Sequence, residues 1–126
     1  MIGLAARLYD VGKVAVPDAI LQKPAPLTAE EQAVIQTHPT VGADVVNRVP
    51  SLRALVPLIR GHHEQWDGQG YPDGLKGDAI PLGARILSVP NRHLPLVAVN
   101  INAQILFLQQ LTSVEPEGIL GHAVGW

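Results

Sequence analysis

The 126-residue chain contains no cysteine. That excludes a disulfide framework and any thiolate metal centre, so a bound metal would have to rest on imidazole and carboxylate. Aromatic residues make up only 4 % of the sequence, which leaves the core to aliphatic side chains. The net charge of −2 gives no basic field to attract nucleic acid, and none is expected as a partner. Nor is there a membrane-spanning run. The most apolar stretch, residues 94–111, is broken by Pro95, Asn100, Asn102, Gln104, Gln109 and Gln110. At the start, Arg7 and Asp10 interrupt the apolar residues too early for a signal peptide, so a cytoplasmic location is expected. The length suits one domain, and no internal repeat is visible.

Proline and glycine, by contrast, are frequent, and they punctuate short helical patterns. Residues 4–11 read as the end of a helix, with Gly12 as its terminator. Pro17-Asp18 starts a short helix over residues 19–22, and residues 23–26 form a stiff linker. Thr28 followed by Glu31 is a capping box that opens the clearest helix. Val34, Ile35, Val41, Val45, Val46 and Val49 keep to one face of it, His38 falls on the same stripe, and Pro39 must kink or restart it. Ser51 is a good cap for the next helix, whose buried stripe is Leu52, Leu55, Val56 and Ile59; Pro57 can instead mark its start. His62 and His63 follow Ile59 at i+3 and i+4, so both imidazoles can lie towards the core. After a glycine-rich loop, Pro81 occupies a first-turn position for a helix over residues 82–89. The first ninety residues therefore read as all-α.

From Pro90 the character changes. Residues 93–114 carry no charged side chain. A buried helix fits residues 103–111, and residues 118–126 look short and frayed.

The densest chemistry lies in His62-His63-Glu64-Gln65-Trp66-Asp67-Gly68-Gln69-Gly70-Tyr71-Pro72-Asp73-Gly74-Leu75. Two adjacent histidines run into a loop of alternating glycines and acids, which suits a loop hung over a site. Each part also has a blander reading. His62 and His63 can be core or helix-end histidines, and His38 a capping or surface residue. Asp10 can be a helix C-terminal charge facing solvent, and Lys13 a favourable helix C-terminal cation. Trp66 and Tyr71 can simply cover the core's edge. His93 and His122 have no motif around them and read as structural or exposed. A calcium loop from Asp67, Asp73 and Asp78 lacks the alternating ligands and terminal glutamate of an EF-hand and is rejected.

Taken in order, these pieces resemble the HD-GYP family of metal-dependent phosphohydrolases. The resemblance covers residues 4–90. It rests on Leu8-Tyr9-Asp10-Val11-Gly12-Lys13-Val14 with Val16-Pro17, on Leu27-Thr28 and the helix reaching His38-Pro39 and Gly42, on His62-His63-Glu64, and on Trp66 to Leu75 continuing through residues 80–87. It implies an all-α helical bundle of the HD-domain type, with residues 1–90 as the HD-GYP-like domain and residues 91–126 as a divergent tail. It further implies a phosphodiesterase acting on cyclic di-GMP, with two or three divalent ions (iron, manganese or similar). Such metals suit nitrogen and oxygen ligands and the hard oxygens of phosphate.

Carried over singly, the resemblance makes Asp10 a bridging ligand and catalytic residue, and His38, His62 and His63 metal ligands. Lys13 would steady phosphate charge or assist the leaving group. The Gly70-Tyr71-Pro72 loop would flank substrate or contact a partner such as a diguanylate cyclase or response-regulator domain. Four departures stand out. The family's own histidine is Tyr9 here, a phenol that ionises only near pH ~10. Its late aspartate ligand falls on Asn91, a neutral and weaker donor. An upstream helix with further ligands is expected before residue 4, and basic substrate-gripping residues are expected after Asn91; neither is in the sequence, which suggests a gene fragment or shifted frame. One half of the site is thus dismantled, and the half built from Asp10, His38, His62 and His63 survives, enough for a single metal. Three outcomes follow: residual metal-dependent phosphohydrolase activity, a non-catalytic module binding through an exposed Gly70-Tyr71-Pro72 loop, or an inert, poorly folding fragment.

Overall fold

A computed structural model describes residues 1–93, with side chains through Ser88. The described residues form helices and short 3-10 turns, with no strand among them. The helices are α1 (Ile2–Leu8), α2 (Asp18–Leu21), α3 (Ala29–Ile35), α4 (His38–Asn47), α5 (Val56–Arg60) and α6 (Leu82–His93). The all-α expectation holds. The expected helix over residues 103–111 and most of the tail lie outside the described residues, and α6 runs past Pro90, one turn beyond where it was expected to end.

Local chemistry sets most boundaries. The Thr28 hydroxyl accepts the Glu31 backbone N–H at 3.2 Å, and the Glu31 carboxylate accepts the Thr28 N–H at 2.8 Å, completing the capping box that starts α3. Pro39 does not kink one long helix but restarts the chain: α3 ends at Ile35 and α4 begins at His38, with proline in its first turn. This corrects the single apolar stripe. Val34 is exposed because it belongs to α3, whereas Val46 and Val49 are buried beside α4. Ser51 is not a helix cap. Pro50 opens a 3-10 turn (Pro50–Leu55) one residue earlier, with Val49 in the cap position, and Pro57 then lies in the first turn of α5.

The core gathers Ala5 and Leu8 from α1, Ala43 and Val46 from α4, Leu52 and Leu55 from the 3-10 turn, Leu58 and Ile59 from α5, and Leu87 from α6. Full burial of an aliphatic side chain such as Leu8 or Ile59 contributes about 1.5–3 kcal/mol. α4 lies at the centre, packed on α5 and on a second 3-10 turn, Val11–Ala15.

Gly12 is inside that turn and is not the terminator of α1, which stops at Leu8. Its role is close approach: a Cβ there would lie 1.8 Å from the His38 carbonyl oxygen and 2.6 Å from the Gly42 nitrogen. Gly42 is the matching gap in α4, where a Cβ would meet the Gly12 nitrogen at 3.2 Å. The two glycines let the backbone after Asp10 lie directly on the start of α4, and this contact brings Asp10 to His38.

Candidate metal centre

Three separate elements deliver the site. Asp10 immediately precedes the Val11–Ala15 turn, His38 is the first residue of α4, and His62 and His63 follow the end of α5. Asp10, His38 and His62 are 2 %, 1 % and 0 % exposed, which excludes the reading of Asp10 as a solvent-facing helix-end charge. One ligand atom from each of Asp10, His38, His62 and His63 lies within 4.8 Å of all the others.

The two buried imidazoles are held the same way. His38 Nδ1 lies 2.7 Å from the Ile35 carbonyl oxygen, and His62 Nδ1 lies 2.6 Å from that of Ile59. A carbonyl can only accept, so each Nδ1 carries the proton and donates it. Each Nε2 then presents a lone pair inward. These two nitrogens are 3.3 Å apart, and they stand 3.3 Å (His38) and 3.8 Å (His62) from Asp10 Oδ1. Although those distances are short, Oδ1 is buried with no hydrogen bond of acceptable geometry among the described residues. Three acceptors thus converge with no proton among them in this tautomer, at a cost that a cation would remove. Three imidazole nitrogens and one carboxylate oxygen suit a first-row divalent transition metal.

Burial alone would raise the Asp10 carboxyl, but it is held well below the usual carboxylate range by His38 and His62 whenever their Nε2 atoms carry a proton to donate, and by the Lys13 ammonium. Lys13 Nζ donates to Asp10 Oδ2 at 3.0 Å, so the residue is paired and largely buried and is not a free helix-end cation. Burial foremost, with any positive charge on His62 or His38 adding to it, pushes His63 down to about 3, leaving it a neutral imidazole at ordinary pH.

Residues 1–109 match the family profile described as HD domain. The chain belongs to the HD domain family, as one of its HD-GYP members. It is 48 % identical over 93 residues to the cyclic di-GMP phosphodiesterase response regulator RpfG of Xanthomonas campestris pv. campestris, covering 71 % of this chain and 24 % of that protein. It is 47 % identical over 93 residues to a 3'3'-cGAMP-specific phosphodiesterase 2 of Vibrio cholerae (71 % and 17 %). A probable cyclic di-GMP phosphodiesterase of the same organism is 35 % identical over 126 residues (94 % and 29 %). The chain spans less than a third of the length of these curated relatives.

In this HD-GYP chain Tyr9 occupies the flank of the cluster. Its ring meets His62 edge-on, with centroids 5.1 Å apart and planes at 72°, and burial followed by the Asp10 charge raises its phenol above the ordinary value. It therefore packs as a neutral aromatic wall. Asn91 falls within α6, but its side chain lies outside the described residues. The Gly70-Tyr71-Pro72 segment is half-buried, less open than the exposed loop of the binding-module alternative. The Tyr71 ring turns inward and stacks on His63, with centroids 4.9 Å apart and planes at 16°.

Glu64 is the residue that sequence reasoning passed over. It is buried, and it does not join the cluster. Its Oε1 accepts the Asp73 N–H at 2.7 Å and its Oε2 accepts the Leu75 N–H at 2.9 Å, so one carboxylate clasps the glycine loop from beneath. The available signal was its place: an acid directly after the histidines and before a glycine-rich loop whose backbone N–H groups need acceptors. Arg60 adds a bidentate pair to Asp73, both contacts at 2.8 Å, in an exposed position that contributes about 1 kcal/mol at most.

Among the described residues, no helix is long and apolar enough to cross a membrane.

Proposed function

We propose that Asp10, His38, His62 and His63 hold one divalent cation, manganese, iron or zinc, and that this centre gives the chain a slow, metal-dependent phosphohydrolase activity on cyclic dinucleotides in the cytoplasm. The observation that carries the reading is the inward convergence of two Nδ1-protonated histidines on the unpartnered Asp10 Oδ1. The names of the relatives, cyclic di-GMP and 3'3'-cGAMP phosphodiesterases, support the substrate class.

A cation bound there would supply Lewis-acid charge to a phosphodiester and acidify a water. The chain's own residues do the rest. The Ile35 and Ile59 carbonyls fix the tautomers of His38 and His62. Lys13 keeps Asp10 ionised and Oδ1 turned inward, and its positive charge borders the place a phosphate oxygen would take. Tyr9 and Tyr71 close two sides against water. A neutral phenol at position 9 adds no anionic ligand beside Asp10, which supports one ion and slow turnover.

The test is hydrolysis of cyclic di-GMP followed by chromatography, with and without added Mn²⁺. Turnover that needs the metal and vanishes in His62→Ala supports the reading; undiminished turnover in chelator-treated protein contradicts it.

A second reading has its own observation. Trp66, at the loop's start, is 58 % exposed, which suits a contact with another protein, such as the diguanylate cyclase or response-regulator domain implied for this loop. Loss of capture of such a domain in Trp66→Ala, with capture retained in His62→Ala, would favour it.

A further inference from the structure

His63 is the odd member of the cluster. His38 and His62 each spend one ring nitrogen on a backbone carbonyl, which fixes both tautomer and orientation. The His63 ring makes no hydrogen bond among the described residues, and it is half-buried where the other two are fully enclosed. An imidazole with two free side-chain torsions and no hydrogen bond would sample several orientations, and each wrong one costs a ligand its aim.

What confines it is a ring. Tyr71 lies face to face on His63, while the His38 and His62 rings approach from the other sides at 4.9 and 4.2 Å between centroids. Tyr71 is in turn held from below. Its backbone N–H donates to the His63 carbonyl at 3.3 Å, and the Glu64 carboxylate takes the Asp73 and Leu75 N–H groups on the far side of Pro72. Gly70 permits the fold-back, since a Cβ there would lie 2.4 Å from the Gln65 nitrogen and 2.5 Å from the His63 carbonyl oxygen. The chain thus leaves His63, turns through the loop and returns to lay an aromatic plate on the same ring.

We propose that Tyr71, clasped in place by Glu64, is a positioning residue that sets the plane of the His63 imidazole. The ring plane is the active feature; the hydroxyl is not. For its consequence, metal affinity, the inference rests on the metal-site reading above, but the ring geometry can be measured without any metal.

The experiment titrates the full chain with Co²⁺, read by its visible absorption, in wild type, Tyr71→Phe, Tyr71→Leu and Glu64→Gln. In parallel, NMR of the same metal-free proteins follows cross-relaxation between the His63 and His62 rings, and thermal unfolding confirms that each variant is folded. Tyr71→Phe should bind Co²⁺ like wild type, whereas Tyr71→Leu and Glu64→Gln should bind roughly tenfold more weakly, the usual scale for loss of a group that orients a ligand. The His63–His62 cross-peaks should persist in Tyr71→Phe and fade in the other two. Unchanged affinity and cross-peaks in Tyr71→Leu would overturn the proposal, as would equal weakening in Tyr71→Phe, which would assign the effect to the hydroxyl. If wild type takes up no Co²⁺, the metal reading fails; the cross-peaks then decide the positioning role by the same pattern.

Discussion

His38 and His62 face each other with their Nε2 atoms 3.3 Å apart, each ring pinned behind by a backbone carbonyl. Two imidazoles in this tautomer repel through their lone pairs, and the unpartnered Asp10 Oδ1 sits against both. The fold therefore spends burial and three polar groups on an arrangement that is unfavourable alone and favourable around a cation.

Asp10 should accordingly matter more to affinity than any single histidine, because it brings the cluster's negative charge. Asp10→Asn keeps the shape and removes that charge. Titration calorimetry with Mn²⁺ should show affinity reduced by more than the roughly 10–100-fold typical of losing an outer-shell partner. Affinity within a few-fold of wild type would place the ion elsewhere.

Gly12→Ala should destabilise the whole domain. Its Cβ would sit 1.8 Å from the His38 carbonyl oxygen, a backbone atom that cannot move without displacing α4. Overpacking of this kind costs roughly 3 kcal/mol or more, read as a lower urea midpoint. Gly3→Ala, inside α1 with nothing within 4 Å of the new methyl, is the matched control and should leave the midpoint unchanged or slightly raised.

Glu64→Gln should loosen the loop without dissolving the core. An amide offers one acceptor oxygen where the carboxylate gave two, so either Asp73 or Leu75 loses its charged partner, at about 1.5–3 kcal/mol. Amide hydrogen exchange should speed up at those two residues while Leu52 and Ile59 keep their protection.

The two tyrosines, the only ones in the chain, should both titrate late. Burial, followed by the Asp10 charge, pushes Tyr71 up to about 12 and raises Tyr9 as well. Absorbance at the phenolate band should show little ionisation of native protein at pH 10, where the unfolded chain is half ionised. Because the folded state holds these protons longer, the stability involved is intact below pH 10 and is lost as pH rises towards 12.

Much of this was legible where the cause is local. The Thr28 and Glu31 capping box is written in four consecutive residues, and the core-facing placement of His62 follows from its spacing after Ile59. The cluster of Asp10, His38, His62 and His63 was named from a family resemblance, because no local rule brings residues so far apart in sequence together. What escaped depended on contacts between elements. Gly12 looked like a terminator because its constraint comes from the His38 carbonyl across the fold. Val34 was assigned to a stripe that ends when Pro39 restarts the helix. For Tyr71 the sequence leaves open an edge cover, a substrate flank or an exposed partner contact, and its inward turn depends on Glu64 binding two backbone donors in its own loop.

The most direct test is elemental analysis of the purified, folded chain after incubation with Mn²⁺, Fe²⁺ and Zn²⁺ and removal of loose metal, beside a His62→Ala/His63→Ala double variant. About one ion per chain is expected in the wild type and none in the variant. A folded wild type that retains no ion, or a double variant that retains as much, would contradict the metal-centre reading.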